Sequence, residues 1–130
     1  MSRLITLTAI FVALFASAGT CRAVDSATTI TQVTRVLNGG NYDITATGTV
    51  TLGTGDTYIG TMVTLKKPDG TIVGMFLNLT PPAAGATANY TATVGNQAAA
   101  TGNWKFTISM SYTHLGQNKV STTFVEFTVP

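Results

Sequence analysis

The sequence predicts an all-β sandwich of seven antiparallel strands, preceded by a cleaved export signal. Two observations carry this expectation. Apolar and polar side chains alternate with period two over most of the chain beyond residue 24, the period of a strand with one dry and one wet face. Turn-forming residues break that alternation about every 8–12 residues, the spacing of a sandwich of short strands. No segment beyond residue 24 shows a helical period.

The N-terminal segment is different in kind. Arg3 supplies a positive charge, and residues 4–18 are apolar or small except for the hydroxyls of Thr6, Thr8 and Ser17. That run is shorter than the roughly 20 residues a helix needs to span a bilayer, and it has the length of a signal-peptide core. Two cleavage positions satisfy the small-x-small rule, after Ala18 and after Ala23. The second coincides with the change of composition, so the expected division is a signal peptide over 1–23 and one domain over 24–130. Cys21 follows Thr20, where a lipidation signal has Gly, Ala or Ser, and Ala18 stands where Leu is usual. The pattern argues against a lipid anchor. Cys21 is the one cysteine in the chain. A cut after Ala23 therefore removes any disulfide, thiolate metal site or thiol nucleophile.

The strands follow in order. Residues 28–37 are rich in Thr and β-branched residues. Residues 41–52 place Tyr42, Ile44, Ala46, Val50 and Leu52 on one face and Asp43, Thr45, Thr47, Thr49 and Thr51 on the other. Residues 58–66 set Ile59, Val63 and Leu65 on one face. Residues 71–79 are apolar on both faces, which marks a strand covered on both sides or one that meets a partner. Residues 87–94 alternate through Tyr90, Ala92 and Val94. Residues 104–113 alternate through Trp104, Phe106, Ile108, Met110 and Tyr112, and residues 120–129 through Val125, Phe127 and Val129 with Phe124 on the opposite face. Asn38-Gly39-Gly40-Asn41 suits a tight hairpin, and Pro68-Asp69-Gly70 a type I turn. Residues 53–56, 81–85, 95–103 and 114–118 read as loops.

The run Thr101-Gly102-Asn103-Trp104-Lys105-Phe106-Thr107-Ile108, followed by Phe124-Val125-Glu126-Phe127-Thr128-Val129, resembles the last two strands of bacterial immunoglobulin-like or macroglobulin-like domains. In those domains a Gly-x-Trp often opens the penultimate strand. The resemblance covers the last third of the chain and, beyond it, the strand count. It implies an immunoglobulin-like sandwich and an extracytoplasmic role, and it implies no ligand. The two intersheet cysteines of antibody domains are missing.

Charge narrows the function classes. The formal +2 comes from Arg3 and Arg22. Beyond residue 23, Arg35, Lys66, Lys67, Lys105 and Lys119 balance Asp25, Asp43, Asp56, Asp69 and Glu126. No basic stripe remains to follow a phosphate backbone, which argues against nucleic acid as partner. A neutral surface of hydroxyls and amides associates more readily than a charged one.

Catalytic and metal chemistry find few candidates. The single histidine, His114, reads as a solvated loop residue, and no G-x-S-x-G motif is present. Asp56, in a glycine loop, reads as a turn former rather than a calcium ligand. Met62, Met75 and Met110 with His114 would suit Cu(I), but Met110 is in phase with Trp104 and Phe106 and reads as core. Neither a catalytic residue, a metal ligand nor a cofactor is expected. Trp104 and Tyr112 share the core phase, which leaves Tyr58 and Tyr90 as the candidate ligand contacts. The expectation is a non-enzymatic protein, secreted or periplasmic or on the cell surface, whose partner is another envelope protein or a second copy of itself. The alternative is a carbohydrate-binding module, which requires at least two of Tyr58, Tyr90, Trp104 and Tyr112 to be exposed and coplanar.

Overall fold

The computed structural model describes residues 23–130 together with Leu4–Ile5. Ala18, Cys21 and the rest of the expected signal, apart from Leu4–Ile5 and Ala23, lie outside the described residues. Among the described residues there are nine strands: β1 (Leu4–Ile5), β2 (Ala27–Thr28), β3 (Gln32–Asn38), β4 (Asn41–Thr51), β5 (Thr57–Lys66), β6 (Ile72–Phe76), β7 (Thr87–Ala98), β8 (Gly102–His114) and β9 (Gln117–Val129). They form two sheets in which every pairing is antiparallel. In one, β4 lies between β7 and the edge shared by β2 and β3, with β1 beyond β3. The other has the order β6-β5-β8-β9. The architecture is a β-sandwich.

Eight strands lie beyond residue 23, against seven expected, because the first expected strand is broken. Thr28 pairs with Val50 but Gln32 pairs with Thr47, so the ladder slips by one residue between them. The amides of Thr29 and Thr31 still bond the carbonyls of Thr49 and Thr47, at 2.8 and 2.7 Å. This is a bulge, which bends the edge without abandoning the pairing. The loop expected over 95–103 is also shorter. Strand β7 continues to Ala98 because Asn96 takes φ 58°, a left-handed residue that Asn tolerates, and its amide is bonded by the Asp43 carboxylate at 2.8 Å. The loop expected over 114–118 is a tight hairpin. His114 pairs with Gln117 around Leu115 and Gly116, both at positive φ. Gly39 and Gly40 close the β3–β4 hairpin in the same manner, at φ 61° and 88°.

Alternation places the inward residues where the sequence predicts, except Ile59, expected on the face of Val63 and Leu65 but turned outward by the bulge between Tyr58 and Gly60. Ile44, Ala46 and Val50 of β4 meet Val63 and Leu65 of β5 and Phe106, Ile108 and Met110 of β8 in one buried cluster. Trp104 is its largest member and has no exposed surface. Its ring stacks on Phe127, with centroids 6.2 Å apart and planes at 11°, and meets Tyr42 edge-on at 6.1 Å and 72°. The indole N–H donates to the Ala100 carbonyl at 3.1 Å, so burial leaves no polar atom unpaired. Two threonines tie the sheets at one corner. Thr123 Oγ1 donates to the Thr28 carbonyl at 2.7 Å and lies 2.8 Å from Thr28 Oγ1.

Candidate interaction surface

The two outer faces of the sandwich are chemically opposed. On the β4–β7 side, outward positions are occupied by threonines that pair across the ladder. Thr45 bonds Thr93 at 3.0 Å and Thr51 bonds Thr87 at 2.8 Å. Such hydroxyl ladders satisfy themselves and remain wettable.

The outer face of β6-β5-β8-β9 carries exposed apolar side chains on β5, β6 and β9, set beside a row of hydroxyls on β8. Cross-strand register builds it in rows. Phe76, Met62, Ser109 and Thr122 form one row; Gly74, Thr64, Thr107 and Phe124 form the next. Ile72 begins a third row that continues through Lys66, Lys105 and Glu126. At the other end, Ile59 protrudes at a bulge beside Gly60, which pairs with Ser111 and through it Val120. Six large apolar side chains on this face are exposed, from 39% at Met62 to 83% at Phe76. Only Val24 and Leu115 are comparably exposed elsewhere among the described residues. Single exposed apolar residues are ordinary; six on one sheet face, four on β5 and β6 and two on β9 across the hydroxyl row of β8, make it the candidate contact surface. Lys105 adds its ammonium over the Phe124 ring, 4.0 Å from the centroid, which fixes the ring against the sheet.

In strand β6, Val73 and Met75 pack against the core, whereas Ile72 and Phe76 are exposed. The strand is also shorter than expected. The Leu77 amide still bonds the Thr61 carbonyl at 2.8 Å, after which the chain leaves the sheet toward Pro81 and Pro82. Residues 77–80 then run beside the start of β7 and enclose a cleft of about 350 Å³ lined by Leu77, Asn78, Thr80, Asn89, Tyr90 and Thr91.

The tyrosines do not form a platform. Tyr90 is 4% exposed, and its hydroxyl donates inward to the Thr29 carbonyl at 2.6 Å. Burial pushes its phenol well above the ordinary tyrosine value. Tyr58 is half-buried, pairs with Tyr112 across the ladder and bonds Thr61 Oγ1 at 2.7 Å. It is not part of the cleft that Tyr90 lines. Trp104 is core, and Tyr112 is packed against it. The methionines are likewise dispersed: Met110 is fully buried, Met75 packs on the core and Met62 faces out. Among the described residues, no group of three His, Cys, Asp or Glu side chains converges to hold a metal. No helix there is long and apolar enough to cross a membrane.

His114 and Asp56 have a role that local sequence does not reveal. Asp56 is 8% exposed, and its two oxygens are both engaged. Oδ1 lies 2.5 Å from His114 Nδ1, and Oδ2 accepts from Ser26 Oγ at 2.6 Å. Ser26 Oγ in turn accepts from the Gly53 amide at 2.7 Å. The Ser26 hydrogen bond, and then the bond to His114, hold the Asp56 carboxyl below the usual aspartate range. The serine hydroxyl contacts the carboxylate rather than the imidazole, so the contact that activates a nucleophile is not made. The cluster joins the entry to β2, the turn before β5 and the end of β8. A second buried charge, Arg35, lies over the Tyr42 ring at 4.9 Å, and its Nε and Nη1 have no hydrogen-bond partner among the described residues.

The chain matches no family model, no curated protein and no solved structure.

Proposed function

We propose that this chain is an exported, non-enzymatic immunoglobulin-like sandwich that works by docking protein at the periplasmic or outer cell surface. The observation that carries the proposal is the uncovered apolar face of β6-β5-β8-β9. Burying exposed aromatic and aliphatic side chains is the main favourable term in protein association, and a few central aromatics usually dominate it. Phe76 and Phe124 are the exposed aromatics of this face, one on each edge strand. The immunoglobulin-like assignment is supported by the strand order: taken as one bulged strand, β2 and β3 bring the count to seven, divided three and four between the sheets. Export is supported by the apolar run over 4–18 and by the place where the folded unit begins. Val24 is already tied to Thr54, its amide to Oγ1 at 3.1 Å and its carbonyl to the Thr54 amide at 2.8 Å. A cut after Ala23 would remove β1 from the edge of β3 and leave the eight strands beyond residue 23.

The test is site-specific photocross-linking in the native host. A photoreactive side chain at Phe76 or Phe124 is expected to give discrete protein adducts, and one at Thr47 or Thr91 on the opposite face is expected to give none. Equal labelling from both faces, or none from Phe76, contradicts the reading.

A second reading, carbohydrate binding, loses the aromatic platform it required and rests on one other observation. The cleft beside Tyr90 is lined by two asparagines and two threonines, side chains that hydrogen-bond sugar hydroxyls, together with Leu77, Leu79 and Ala88, and its volume is at the small end of ligand pockets. A glycan array without hits removes it.

A further inference from the structure

We infer that removal of the export segment opens the β3 edge as a seat for an extended acidic segment of a partner protein, whose inward-facing carboxylate pairs with the buried Arg35 guanidinium. The inference rests on the export reading above, with the cut after Ala23, and concerns a contact separate from the outer face of β6-β5-β8-β9.

Two independent observations meet at Arg35. The first is a strand already seated there. Ile5 of β1 lies opposite Arg35 and Leu4 opposite Val36, antiparallel, on the side of β3 away from β4. Backbone phase explains the seat. The Thr29 and Thr31 amides bond the carbonyls of Thr49 and Thr47, so the odd-numbered residues of β4 turn their peptide groups toward this edge. Their opposites in β3, Gln32, Thr34 and Val36, turn theirs toward β4. Val33, Arg35 and Leu37 therefore present their amides and carbonyls outward. A cut after Ala23 takes β1 away and leaves those groups without a neighbouring strand, and an open edge of this kind accepts another.

The second observation is the guanidinium itself. Arg35 shares the inner face of β3 with Val33 and is 3% exposed. Its Nε and Nη1 are buried with no acceptor among the described residues, and the Tyr42 ring beneath it supplies only a π face. Buried charged donors left unpaired are costly and rare. The five carboxylates beyond residue 23 are placed elsewhere. Asp43 is on the outer side of β4 and holds the Asn96 amide. Asp56 is bonded to Ser26 and His114, and Asp69 to the Thr71 amide. Asp25 and Glu126 are exposed.

Together these observations specify the segment. A strand paired with β3 sets the residue opposite Arg35 on the same inner face, with Cβ atoms about 4.5–5.5 Å apart, a distance that a glutamate and an arginine bridge. Its carboxylate accepts charge-assisted hydrogen bonds from the guanidinium. Two residues to either side, the incoming strand lies opposite Val33 and Leu37, which pack in or against the core, so apolar side chains fit there. The pattern is apolar-x-acid-x-apolar, with the intervening residues in water.

The experiment uses the chain expressed from its whole reading frame and processed by the cell, with its N-terminus read by mass spectrometry. The probe is a fluorescently labelled, end-blocked peptide, Thr-Val-Thr-Glu-Thr-Val-Thr. Fluorescence anisotropy is expected to show saturable binding. The same peptide with Gln in place of Glu is expected to bind at least about thirtyfold more weakly, the loss typical of breaking a buried charge pair. In Arg35→Met the preference for Glu over Gln is expected to vanish, while the circular dichroism is kept and the urea midpoint is no lower than that of the wild type, because an unpaired buried charge has been removed. A processed wild type that does not bind the Glu peptide overturns the inference and leaves the export and docking readings standing. A preference for Glu that survives R35M overturns it too, as does a midpoint lowered by R35M, which would mean that the fold itself satisfies Arg35. A chain that keeps residues 1–23 overturns the inference together with the cleavage reading.

Discussion

Replacing Trp104 with alanine tests whether the two sheets share one dry interior. The side chain has no exposed surface, and its removal empties the space between Tyr42 and Phe127. Large aromatic-to-alanine changes in cores cost about 3–5 kcal/mol, from lost transfer energy and an unrelaxed cavity. Here the upper half of that range is expected, because a stacked and an edge-on ring contact are lost together, each worth about 0.5–1.5 kcal/mol beyond its area. A domain of this size has roughly 5–15 kcal/mol in all, so the variant is expected to be near the limit of folding, with its melting temperature lower by about 20 °C. Trp104→Phe keeps a ring in place and loses the indole bond to the Ala100 carbonyl, which contributes about 1 kcal/mol, together with part of the ring volume. Its cost is expected to be about half that of alanine. The assay is urea denaturation followed by circular dichroism, which avoids relying on the fluorescence of the replaced residue. A cost below about 1 kcal/mol for the alanine variant would refute a shared core centred on Trp104.

Two further perturbations address particular contacts. Asp56→Asn is expected to destabilise the sandwich at neutral pH by loosening the join between Ser26 and His114. Because the folded carboxyl lies below its ordinary value, its contribution is complete above the usual aspartate range and is lost as pH falls through the lower folded value. The stability gap between wild type and variant should therefore close in acid, and a gap independent of pH would exclude the carboxylate as its cause. Gly48→Ala places a methyl group against the Thr29 carbonyl and 2.7 Å from the Tyr90 hydroxyl, where backbone cannot yield. Chemical denaturation is expected to show a loss of at least about 1–3 kcal/mol, and an unchanged midpoint would mean that β4 and the β2–β3 edge are farther apart than described.

The parts of the fold legible in the sequence are those set by neighbours along the chain. Strands β4 and β8 alternate without a break, so their dry faces can be read directly, and Asn38–Asn41 closes its hairpin with residues suited to positive φ. The division of 28–37 into β2 and β3 depends on register against β4, which no local pattern encodes. Gly95 and Asn96 read as a loop because their composition is that of a turn, yet Asp43 holds Asn96 within a continuing strand. The same limit applies to the candidate surface. The double apolarity of 71–79 and the outward phase of Phe124 are both visible in the sequence. That they join Ile59, Met62 and Val120 on one face follows only from pairing among four strands. Tyr58 and Tyr90 stood out because they lie near strand ends, but inward hydrogen bonds to Thr61 and Thr29 occupy their hydroxyls. Asp56 and His114 are 58 residues apart, and nothing in either loop signals the other.

The most direct measurement of whether the apolar face is a working contact is hydroxyl-radical footprinting of the chain, once dilute and purified and once in its native envelope. Met62, Phe76 and Phe124 should be oxidised readily in the dilute protein and protected in the envelope, with Trp104 and Met110 unreactive in both. Equal oxidation of Phe76 and Phe124 in the two states would mean that the face stays open to water where the protein acts, and docking through it would be wrong.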